Sequence, residues 1–263
     1  MCTTNCKSDF IFIAGPCVLE DEAIAFSIAH QLKKMANSYN LQFYFKASYD
    51  KANRTSLDAY RGPGIKKGLE ILADVKKTFD IQILTDVHSV AEVDQVAEVV
   101  DVIQIPAFLC RQTDLMVAAA KTDRVINVKK GQFTAPSDMR YVIDKILESG
   151  NDRIWLTERG TCFGYNNLVV DFRSFDIMRA FGFPVIFDAT HAVQIPSSGG
   201  ASSGNRTFVA PLARAAVAYG VDGLFTEVYP EPDNAKCDGP NSIRLDSVSA
   251  LLDSIMAIRN ILP

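Results

Sequence analysis

Eight short apolar runs, rich in β-branched and aromatic residues, recur at positions 10–18, 42–47, 81–86, 102–108, 124–129, 154–158, 184–188 and 223–228. They read as nearly continuous hydrophobic segments rather than as period-two alternation, the pattern of parallel strands covered on both faces. Between them lie amphipathic stretches. Ala25, Ile28, Ala29, Leu32 and Met35 recur at helical spacing within 21–37, as do Leu69, Leu72, Ala73 and Lys76 within 65–78. Eight such strand–helix alternations are expected to form an α/β fold of the (β/α)8 TIM-barrel type. A doubly wound sheet is the competitor, but Gly15-Pro16-Cys17 stands where its Gly-x-Gly-x-x-Gly turn belongs. No composition break divides the 263 residues, so one barrel domain over 1–263 is expected.

Composition narrows the function classes. Hydrophobic residues at 48% and charged residues at 22% fit an ordinary globular chain. A formal net charge of −4 argues against nucleic acid or an anionic membrane as the main partner. The first apolar run is broken at Gly15-Pro16 and followed by Glu20, Asp21 and Glu22, which suits neither a signal peptide nor a membrane span, so a cytoplasmic protein is expected. The 6 cysteines form no Cys-x-x-Cys pair and are expected to be mostly free thiols.

Polar residues gather at the carboxyl end of nearly every run: Cys17, Lys46, Asp86 with His88, Gln104, Lys129 with Lys130, Glu158-Arg159, Asp188 with His191, and Glu227. In a barrel this end is the catalytic rim. Lys46, Lys51, Arg54, Arg61, Lys129, Lys130 and Arg159 would make it locally cationic, matching small substrates with phosphate or carboxylate groups. Strand-end lysines equally invite a Schiff-base aldolase reading, which nothing in the sequence selects.

Cys17, His191, Glu227 and Asp238 stand in loops after the first, seventh and eighth strands, neighbours in a closed barrel. Thiolate, imidazole and carboxylate together suit zinc, iron or manganese with a position left open. On residue types alone, a hydrogen-bonded loop histidine and packed thiols explain them too. The Gly/Ser-rich segment PSSGGASSGNR at 196–206 reads either as a lid over the site or as a plain connection.

The motifs, taken in order, resemble the 3-deoxy-D-manno-octulosonate 8-phosphate synthases: FKASYDKANRTS from Phe45, YRGPG from Tyr60, LTDVHS from Leu84, QIPAFLCRQTDL from Gln104, NVKKGQF from Asn127, NNLVVDFR from Asn166, FDATHAVQ from Phe187 and KCDGPNS from Lys236. The resemblance implies condensation of phosphoenolpyruvate with arabinose 5-phosphate and loss of inorganic phosphate. It assigns Lys46, Lys51, Gln104, Lys129 and Arg159 to phosphoenolpyruvate, and Asn53, Arg54 and Thr55 to the sugar phosphate. Asp86 and Phe108 are further substrate contacts on the same ground. Arg111 would reach the sugar phosphate of a neighbouring subunit, which implies a homotetramer.

Members of this family carry Cys or Asn at the position of Cys17, and Cys marks the branch that uses a divalent metal. The implied ligands are Cys17, His191, Glu227 and Asp238, with Lys51, His191 and Asp238 as catalytic groups. Two other readings stay open. One is the sister synthase that uses erythrose 4-phosphate, which carries KPRTS in place of KANRTS. The other is a non-catalytic sugar-phosphate-binding barrel.

Overall fold

The structure, a computed structural model, describes residues 10–195 and 203–262. Eight parallel strands, β1 (Ile11–Gly15), β2 (Gln42–Lys46), β3 (Gln82–Asp86), β4 (Val102–Ile105), β5 (Val125–Lys129), β6 (Ile154–Glu158), β7 (Val185–Asp188) and β8 (Gly223–Tyr229), pair in chain order. The last returns to the first with Ile11 opposite Gly223 and Gly15 opposite Glu227, which closes the (β/α)8 barrel. The helices are α1 (Glu22–Ser38), α2 (Ile65–Phe79), α3 (Val90–Ala97), α4 (Thr113–Ala120), α5 (Met139–Glu148), α6 (Arg173–Arg179), α7 (Val209–Tyr219) and α8 (Val248–Ile261). α1 starts where Asp21 caps it, its carboxylate accepting from the Ile24 amide at 3.2 Å.

Strand periodicity separates two cores. Ile11, Ile13, Tyr44, Leu84, Val102, Trp155, Ile186 and Phe225 cluster inside the barrel, with Tyr44 and Trp155 edge to face at 4.9 Å. Their neighbours Phe12, Phe43, Phe45, Ile83, Ile103, Phe187 and Leu224 point outward and join the layer under the helices. Side chains two apart share a face, so the inward series continues from Tyr44 to Lys46, from Leu84 to Asp86, from Val102 to Gln104, from Ile186 to Asp188 and from Phe225 to Glu227. The same alternation carries Lys129 and Arg159 inward. Apolar side chains thus fill the barrel's lower layers and polar ones its carboxyl mouth.

Two expected strands are too long. β1 ends at Gly15 and β4 at Ile105, because Pro16 and Pro106 follow and offer no amide hydrogen to the ladder. Beyond Pro106, Ala107–Leu109 forms a single 3-10 turn. In the Gly/Ser loop, Ser203–Gly204 pairs antiparallel with Gln194–Ile195, while 196–202 lie outside the described residues, as therefore does most of the lid-or-linker expectation. Ile243–Arg244 adds parallel to the end of β8 and draws the segment before it back over the mouth.

Candidate active site

A cavity of about 650 Å³ opens at the carboxyl mouth. Of the residues expected there, Lys46, Lys51, Asn53, Arg54, Thr55, Asp86, Gln104, Phe108, Lys129, Arg159, His191 and Asp238 line it. Cys17 and Glu227 are buried just beneath, in contact with lining residues. Arg111 is exposed and does not line this chain's cavity. Two residues expected to make the rim cationic are placed otherwise. Lys130, one position out of register with Lys129, points away from the mouth and is fully buried beside Glu158 at 3.5 Å. Arg61 stands outside the lining and pairs with Asp50.

Buried charges on the floor are held by one another. The Lys46 ammonium donates to the Cys17 carbonyl at 2.9 Å and to Ser48 Oγ at 3.0 Å, and lies 3.4 Å from Glu227. Ser48 Oγ donates to Asp86 at 2.5 Å, and the other Asp86 oxygen meets His88 Nε2 at 3.1 Å. Burial pushes the Asp86 carboxyl up, but the His88 hydrogen bond and the charges of Lys46, His88 and Lys51 outweigh it and hold the group well below its ordinary range. Burial pushes His88 down, and its Asp86 partner with the Glu92 charge raises it above its usual value. Across the floor Lys129 donates to Asp188 at 2.6 Å. Burial lowers the Lys129 ammonium despite that partner, and burial likewise lowers the Arg159 guanidinium. Lys51, 3.9 Å from Glu227, is held well above its ordinary value, because burial is outweighed by Cys17 and Glu227.

Asp188 also fixes His191. One of its oxygens accepts from the backbone amides of Thr190 and His191 at 3.1 and 2.9 Å, and the other lies 2.8 Å from His191 Nδ1. A carboxylate on Nδ1 leaves Nε2 free to present a lone pair. That atom faces Glu227 at 3.6 Å and Asp238 at 3.8 Å. A lone pair directed at two carboxylates is repulsive unless a proton or a cation lies between them. Glu227 Oε2 is buried without a hydrogen-bond partner, a costly condition that a cation would relieve.

The donors fall into two overlapping sets, His191 with Glu227 and Asp238, and Cys17 with Cys237 and Asp238, each with ligand atoms within 4.8 Å of one another. Asp238 joins them from a tight turn. Its φ of 48° lies in the left-handed region that aspartate tolerates better than most residues, and its carbonyl accepts from the Asn241 and Ser242 amides, both at 3.0 Å. This sulfur, nitrogen and oxygen set fits a divalent metal.

Two contributors, Ser48 and Cys237, fall outside the site residues read from the sequence, and a third, Asp188, stood there only as a rim residue. Ser48 links Lys46 to Asp86, Asp188 links Lys129 to His191, and Cys237 lies 3.0 Å from Cys17, sulfur to sulfur. For Asp188 the signal was present, since it ends β7 in the inward series with His191 three residues on. Ser48 carries no signal in its residue type, and Cys237, although of a ligand type and beside Asp238, reads from the sequence as a packed thiol.

A closed parallel barrel with buried cations around a metal-competent cluster defines an anion-handling (β/α)8-barrel protein with an active-site-like mouth. The chain belongs to the family described as DAHP synthetase I, whose model matches residues 5–260. It is 58% identical over 249 residues to the 2-dehydro-3-deoxyphosphooctonate aldolase of Geobacter metallireducens, covering 94% of this chain and 92% of that one. It is 60% identical to the protein of that name from Pelobacter propionicus, over 96% and 93% of the two chains. With its namesake from Desulfotalea psychrophila the identity is 54%, over 95% and 89%.

Proposed function

We propose that the chain condenses phosphoenolpyruvate with D-arabinose 5-phosphate and water, giving 3-deoxy-D-manno-octulosonate 8-phosphate and inorganic phosphate. The observation that carries this reading is end-to-end similarity to curated relatives whose name contains that octulosonate product, joined to a mouth that holds Lys46, Lys51, Lys129 and Arg159 together. These four cations with Gln104 hold the carboxylate and phosphate of phosphoenolpyruvate, where charge-assisted donors are strongest. Asn53, Arg54 and Thr55, on the loop after β2, hold the sugar phosphate, with Asp86 and Phe108 at the same wall.

Carbon 3 of phosphoenolpyruvate attacks the aldehyde carbon while water adds at carbon 2. The resulting tetrahedral carbon expels phosphate through carbon–oxygen cleavage. Cys17, His191, Glu227 and Asp238 would hold a divalent metal, which would supply Lewis acidity when bound. Lys51 compensates charge next to Glu227, and His191 or Asp238 moves the proton.

In this reading the whole chain works as one catalytic barrel in the cytoplasm, a setting supported by free cysteines at 17, 110, 162 and 237. The same resemblance makes it a homotetramer, in which Arg111, exposed and outside its own chain's cavity, would reach the sugar phosphate of a neighbouring subunit.

Product analysis after incubation with phosphoenolpyruvate and either aldose phosphate tests the reaction. We expect an eight-carbon product with arabinose 5-phosphate. A preference for erythrose 4-phosphate would assign the sister reaction, and binding of phosphoenolpyruvate with no phosphate released under either condition would assign a non-catalytic barrel.

A further inference from the structure

We infer that Cys237 is a second sulfur ligand, so that the metal is held by two thiolates rather than one. The inference rests on the reading that this site holds a metal. Cys237 Sγ lies 3.0 Å from Cys17 Sγ, far outside the about 2.05 Å of a disulfide; Cys17 donates a thiol hydrogen bond to it, and a metal would take the place of that proton. Both sulfurs share a set with a carboxylate oxygen of Asp238, all within 4.8 Å. Two thiolates about 2.3 Å from one tetrahedral zinc stand about 3.8 Å apart, so binding would part the two sulfurs by less than about an ångström. Both cysteines are buried, at 4% and 3% exposure, so neither sulfur is solvated in place of a metal.

The Arg54 guanidinium donates to Cys237 Sγ at 2.8 Å. A metal-bound thiolate still accepts such a hydrogen bond. Asp238 is common to this set and to the one formed with His191 and Glu227, whose Oε2 is buried and unpartnered. Binding is balanced by release of the thiol protons to solvent. Two thiolates with an imidazole and carboxylates form a softer set than one thiolate does, which moves the preference from manganese and magnesium toward zinc.

Cobalt(II) titrated into the full-length, metal-free protein, with thiols kept reduced by a phosphine, tests this through the near-ultraviolet thiolate-to-cobalt absorption. Cys237→Ser and Cys17→Ser are each expected to keep about half the wild-type band, because one sulfur remains in each, and the double variant to lose it. X-ray absorption of the zinc-loaded wild type should count two sulfurs, a readout that needs no variant and stands even where a variant fails to fold. A single sulfur together with a full-strength band in Cys237→Ser would overturn the inference and leave the metal reading intact. Absence of the band in the wild type would overturn the metal reading and this inference with it.

Discussion

Lys130 and Glu158 are as buried as the strand leucines, at 0% and 1% exposure, and they have different work from the charges one position away. Lys130 donates to the Gly131 and Thr134 carbonyls and to Thr161 Oγ1, while Glu158 accepts from the Arg159 and Gly160 amides at 3.0 and 2.7 Å. The pair therefore ties down the loops that carry Lys129 and Arg159. Lys130→Met leaves a buried carboxylate without its cation and should destabilise the fold by about 3 to 5 kcal/mol, with Glu158→Gln added to it recovering part of that loss in denaturant unfolding. An unchanged midpoint in the single variant would contradict this. The Asp86–His88 pair is a pH device of known sign. A raised histidine pKa stabilises below the unfolded value of about 6.5 and fades as pH climbs through the raised value; a depressed aspartate stabilises above about 3.9 and fades as it protonates. NMR titration of His88 should give a midpoint above about 6.5, and one at or below it would remove the Asp86 interaction from the account. At this scale residue type and strand-end position were enough to single out Lys46, Asp86, Gln104, Lys129 and Glu227. Lys129, which ends its apolar run, was read as facing the mouth, but Lys130 beside it was counted with the rim cations as well, because residue type alone does not exclude the out-of-register neighbour.

The elements set that register, and at the site two of them approach too closely for a side chain between them. A Cβ on Gly15 would lie 2.1 Å from the Lys46 carbonyl oxygen, a backbone atom that the β2 ladder holds in place. Gly15→Ala should therefore push β1 from β2 where Lys46 and Cys17 emerge. We expect a loss on the order of 1 to 3 kcal/mol in thermal or denaturant unfolding, accompanied by weaker phosphoenolpyruvate binding. Wild-type values for both would show that the strands can part freely. Element existence was readable from the alternation of apolar runs and amphipathic stretches, and α1 and α2 lie within a residue of their expected ends. The ends of β1 and β4 were misjudged because apolar character continues past Pro16 and Pro106 although hydrogen bonding cannot.

At the scale of the molecule, closure is what turns scattered residues into one site. Cys17 and Asp238 are 221 positions apart, and the β1–β8 pairing brings Cys17 Sγ to 3.3 Å from an Asp238 oxygen. No local spacing could have shown this, whereas the barrel hypothesis placed the loops after β1, β7 and β8 side by side. Among the described residues, no helix is long and apolar enough to cross a membrane. On the proposed function, this assembled mouth condenses phosphoenolpyruvate with arabinose 5-phosphate using a divalent metal. Phosphate release from phosphoenolpyruvate, followed with arabinose 5-phosphate before chelation, after chelation with metal content verified, and after zinc is restored, tests it most directly. We expect sugar-dependent release that stops on metal removal and returns with zinc. Undiminished release from verified metal-free protein would contradict the metal's part in it, and no sugar-dependent release under any condition would contradict the reaction itself.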